Sequence, residues 1–86
     1  MKIRFEFVKR EIAGEFFLVP IGEAAKKFTG MFALNEVGAF IWDILPDAEN
    51  EEAIVKKVLE EYDVSAETAE ADTAEFLNKL REMEIL

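Results

Sequence analysis

The run Gly30-Met31-Phe32-Ala33-Leu34-Asn35-Glu36-Val37-Gly38-Ala39-Phe40-Ile41-Trp42 leads a short apolar stretch through a capping residue straight into an almost wholly apolar helix. Asn35 suits an N-cap, because its side-chain oxygen can accept from a backbone N–H in the first turn, and Glu36 places negative charge where the helix dipole favours it. Val37, Phe40, Ile41 and Ile44 form one helical face, while Gly38, Trp42 and Leu45 form another. A helix apolar on both sides has to be buried. The rest of the chain must therefore wrap this helix, with a strand over Met31–Leu34 at its entrance.

The flanking sequence supplies the wrapping. Ile3, Phe5 and Phe7 alternate with Lys2, Arg4 and Glu6, the period of two that marks a strand with one face on a core. Ala13-Gly14 predicts a tight turn into a second strand over Glu15-Phe16-Phe17-Leu18-Val19-Pro20, making a hairpin ended by Pro20. Residues 21–29 read as a connection with room for one helical turn. After Pro46-Asp47, Asn50 predicts the cap of a helix with apolar Ile54, Val55, Val58, Leu59 and Tyr62. Ser65 predicts the cap of a last helix carrying Ala69, Thr73, Phe76, Leu77, Leu80 and Met83 on one side. Strands first and helices second give an α+β fold: a three-stranded antiparallel sheet followed by three helices, in one domain over 1–86.

Composition narrows the chemistry. Cysteine and histidine are both absent, which removes disulfides, thiolate metal sites, cysteine nucleophiles and the usual general base. No cofactor or metal is expected. No stretch approaches the roughly 20 apolar residues that span a bilayer, and a cytoplasmic protein without membrane association is expected. The net charge of −9 is concentrated: residues 1–42 hold six basic and five acidic side chains, residues 43–86 four basic and fourteen acidic. Such a balance argues against nucleic acid, whose phosphates are bound by clustered Lys and Arg.

The segments Leu34-Asn35-Glu36-Val37-Gly38-Ala39, Ile41-Trp42, Glu52-Ala53-Ile54-Val55, Glu61-Tyr62-Asp63-Val64, Ala71-Asp72, Phe76-Leu77 and Leu80 resemble, in order and spacing, those of the PqqD-like family (coenzyme PQQ synthesis protein D). The resemblance implies a winged helix-turn-helix-like RiPP recognition element, a module serving ribosomally made, modified peptides. It implies a non-catalytic adaptor that binds a precursor's leader peptide by strand addition and presents it to a modifying enzyme, of the radical SAM class by family analogy. The peptide-binding residues so implied are Met31, Phe32, Ala33 and Leu34 on the third strand, with Thr73, Phe76, Leu77 and Leu80 on the last helix. Homodimerisation through the exposed strand edge is left open. Two positions depart from the family pattern: Glu84 stands where glycine is common, and Thr73, expected to face the groove, where an aliphatic residue is common.

Trp42, on an all-apolar helix, is expected in the core. Asp72 lies at the margin of an apolar face and is expected to accept hydrogen bonds from a neighbouring turn, with contact to a bound peptide as the other reading. Glu51-Glu52 and Glu60-Glu61 point about 100° apart on a helix and are expected in solvent rather than on a metal. The alternative function is a winged-helix DNA-binding transcriptional regulator, which the acidic last helices oppose.

Overall fold

A computed structural model describes all 86 residues. The elements are β1 (Phe7–Ile12), β2 (Glu15–Pro20), α1 (Glu23–Lys27), β3 (Phe32–Leu34), α2 (Glu36–Ile44), a 3-10 turn (Leu45–Asp47), α3 (Glu51–Glu61) and α4 (Ala66–Glu82). The sheet is antiparallel in the order β1-β2-β3, so β3 and β1 are its edges. The expected architecture of three antiparallel strands followed by helices is the one observed, with the five-residue α1 in the connection before β3.

The first strand lies further along the chain than its alternation predicts. Ala13 (φ 53°) and Gly14 (φ 82°) form a two-residue turn with both residues left-handed, the geometry that matches strand twist. That turn pairs Ile12 with Glu15 and Phe7 with Pro20, so the ladder occupies 7–12 rather than 2–7. The polarity of residues 1–6 is still expressed, since Ile3 and Phe5 are half-buried and Lys2, Arg4 and Glu6 exposed. Their partner differs: Arg4 N–H donates to the Ile85 carbonyl at 2.8 Å, tying this segment to the end of the chain. The third strand is also one residue shorter than expected, with Met31 outside the ladder.

All three predicted caps form. Asn35 Oδ1 accepts from Gly38 N–H at 2.7 Å, Asn50 Oδ1 from Ala53 N–H at 2.9 Å, and Ser65 Oγ from Thr68 N–H at 3.1 Å. Each satisfies a donor that the first helical turn leaves without an intrahelical acceptor. Leu18 of β2, Ile41 and Leu45 after it, Ile54 and Val58 of α3, and Leu77 of α4 meet in a fully buried core. Trp42 joins them as expected, edge-on to Phe7 with ring centroids 5.8 Å apart.

The last helix ends in a Schellman motif. Glu84 N–H donates to the Arg81 carbonyl and Ile85 N–H to the Leu80 carbonyl, at 3.0 and 2.9 Å. This closure requires a left-handed residue, and Glu84 adopts it at φ 61° in the place where the family pattern favours glycine. Its carboxylate accepts from Lys27 Nζ at 3.1 Å, which holds the carboxyl below its ordinary pKa. The buried Ile85 that follows anchors the turn in the core.

Candidate functional site

Hydrogen-bond parity along β2 decides what β3 offers to the outside. In a two-residue hairpin the pair flanking the turn exchanges hydrogen bonds, and pairs then alternate between bonded and non-bonded. The Ile21 N–H to Glu6 carbonyl bond, 3.1 Å, continues this alternation. Residues 15, 17, 19 and 21 thus turn their backbone groups toward β1, leaving 16 and 18 to face β3. Phe16 pairs with Leu34 and Leu18 with Phe32, and these are the bonded pairs; Phe17 and Ala33 form the non-bonded one. The N–H and C=O of Ala33 therefore point away from the sheet, and no strand covers them.

Beside this edge lies a groove of about 370 Å³, mostly apolar. One wall is Met31, Phe32, Ala33 and Leu34. Val37 and Gly38 of α2 close one end, and Phe76 and Leu80 of α4, with Met83 at its C-cap, form the opposite wall. Leu18 and Ile85 lie at its floor, and Asp72, Glu75 and Lys79 rim it. Gly38 is needed here for close approach: a Cβ would stand 3.4 Å from the Phe76 ring and 3.1 Å from the capping oxygen of Asn35.

Six of the eight residues expected to bind peptide line the groove: Met31, Phe32, Ala33, Leu34, Phe76 and Leu80. Thr73 and Leu77 do not. Both are at 0% exposure, beneath α4 in the core, and Thr73 Oγ1 has no hydrogen-bond partner. At 100° per residue, Thr73 and Leu77 fall with Ala69 on a stripe roughly a quarter turn from the one holding Asp72, Phe76, Lys79 and Met83. Leu80 lies between the stripes and serves both. Three groove residues that the apolar pattern does not single out are Glu75, Lys79 and Ile85; the row Asp72, Phe76, Lys79, Met83 carries the spacing i, i+4, i+7, i+11 that reveals the second face.

Asp72 differs from its structural reading. It accepts no hydrogen bond and joins no ion pair, and it sits at the rim of the groove instead. The chain has no cluster of three or more side chains able to hold a metal ion. No helix is long and apolar enough to cross a membrane.

Comparison with known proteins agrees with this geometry. No curated protein sequence matches the chain. A solved structure described as TbiB1 in complex with the TbiA(beta) leader peptide is similar over 100% of this chain and 94% of that one, at 32% identity and a TM-score of 0.71. The family profile of coenzyme PQQ synthesis protein D (PqqD) matches residues 15–86. With the hairpin's second strand, the edge strand, the groove and all the helices inside that match, the chain belongs to the PqqD family.

Proposed function

We propose that this protein is a non-catalytic adaptor that captures the leader region of a ribosomally made precursor peptide as a fourth strand on Ala33 and presents it to a modifying enzyme, a radical SAM enzyme by family analogy. The observation that carries the reading is the uncovered edge of β3 standing over an apolar groove. An added strand satisfies the free N–H and C=O of Ala33, which gives affinity independent of sequence, while the groove reads alternate side chains. TbiB1, similar over 94% of its chain, is seen with a leader peptide. Met31, Phe32, Leu34, Phe76 and Leu80 would contact the leader directly, and Thr73 and Leu77 would support the wall from beneath.

A leader that is disordered when free loses ordering entropy on docking, so moderate affinity and ready release are expected, as a substrate handed onward requires. A cysteine-free chain suits this work in the cytoplasm. The DNA-binding alternative gains nothing from the structure, because acidic side chains outnumber basic ones on both α3 and α4.

The test is a titration of isotope-labelled protein with the leader of its precursor peptide, followed on backbone amides. Shifts concentrated at 31–34 and along α4 support the reading. Unchanged spectra at millimolar peptide would remove it.

A further inference from the structure

Resting on the strand-addition reading, we infer that the captured segment carries a lysine or arginine at the position facing Leu34, two residues from an apolar side chain facing Phe32. A residue bonded to the outward groups of Ala33 shares its face of the sheet, away from the helices, because paired residues project to the same side. Its two neighbours in the added strand then project onto the groove face, opposite Phe32 and Leu34. They are about 6.8 Å apart, two strand residues.

The two positions meet different surroundings, because α4 runs antiparallel to β3. The Phe76 ring approaches Gly38 behind Asn35, at the Leu34 end, whereas Leu18 pairs with Phe32, and Glu84, just before Ile85, is bonded by Lys27, next to the Phe28 ring that packs on Phe32. Asp72 and Glu75, up to one turn before Phe76, therefore rim the Leu34 end. Lys79 and Met83 lie toward the other. A second depression, which also touches Leu34 and Asn35, is bordered by Glu15 and Glu36. Four carboxylates thus surround one end of β3, and none of them joins an ion pair in the structure. Lys79 is the one cation lining the groove.

The floor at this end remains apolar, through Val37 and the Phe76 ring. A long cationic side chain matches both features: its methylene stem lies along Phe76 and its charged head reaches the rim at Asp72 and Glu75. A carboxylate in the same place would face the like charges of Asp72 and Glu75. The strand edge and groove are what bind, and the carboxylates select which side chain is accepted at one position.

A library of displayed twelve-residue peptides, selected on the full chain, tests this. The isosteric double variant Asp72→Asn/Glu75→Gln serves as comparison, with circular dichroism melts to show that it folds. The expected result is enrichment of Lys or Arg at one position, two residues from an apolar one. Changing that cation to Gln in a selected peptide should weaken binding to the native protein about fivefold at low salt, and less than twofold to the variant. Peptides that shift the Ala33 amide yet show no cation preference, or a preference that survives in the variant, would overturn the inference and leave the strand-addition reading standing. If no selected peptide shifts β3, that reading fails and the inference with it.

Discussion

Proline at position 33 separates the two jobs a backbone N–H can do in this sheet. Ala33 N–H points away from β2 and contributes nothing to the ladder, so in the free protein it bonds only to water. Ala33→Pro removes that donor at an edge strand, where proline's fixed φ is tolerated, and its cost in stability should stay below about 1 kcal/mol. In the complex, the leader carbonyl that Ala33 would have satisfied is left without a partner in a partly enclosed groove. An unsatisfied group of this kind costs about 1–3 kcal/mol, a fall in affinity of about fivefold to 150-fold. Leu34→Pro is the counterpart: its N–H donates to Phe16, so the loss falls on the fold, about 1–3 kcal/mol from the orphaned carbonyl. Thermal melts and fluorescence anisotropy with a labelled leader read both quantities. A folded Ala33→Pro protein that binds with native affinity would refute strand addition. If Ala33→Pro unfolds the domain while Leu34→Pro is tolerated, the parity assigned to β3 is wrong.

Thr73→Val removes a fully buried hydroxyl that has no partner, at equal branching. It should stabilise the chain by about 1 kcal/mol, which at ~2.1 cal/mol/K per residue raises the Tm by about 5 °C. Leader affinity should stay within about twofold of native, because Thr73 lies under the wall; a lower Tm would show that the hydroxyl is satisfied after all. Glu84→Gly relieves a left-handed glutamate at the end of α4 and should add about 0.5–1 kcal/mol in thermal melts. Its gain should be larger in acid than at neutral pH. The Lys27 bond holds the Glu84 carboxyl below its ordinary value, so the native stabilisation it lends is present above the unfolded pKa and lost as pH falls through the folded one. A gain independent of pH would show that this bond adds nothing.

The hairpin turn, the three helix caps and the burial of α2 were all legible in the chain, because each depends on neighbours within a few residues. Ala13-Gly14 can form its own turn, Asn35 caps its own helix, and an apolar helix has no choice but burial. The same locality misled where the partner is distant. Residues 1–6 alternate as a strand would, yet only Glu6 continues the ladder and Arg4 N–H meets the Ile85 carbonyl instead, because a period of two says only that one face is covered, not by what.

The two stripes of α4 mark the same boundary. Sequence determined that α4 has an apolar side, but Thr73 and Phe76, three residues apart, were indistinguishable by polarity pattern. Only the docking of α4 on α2 and α3 turned Thr73 and Leu77 inward and left Phe76, with the unpaired Asp72, facing the open edge of β3. Local hydrogen bonding and periodicity are written along the chain, whereas a groove exists only as the space between elements that the chain order keeps far apart.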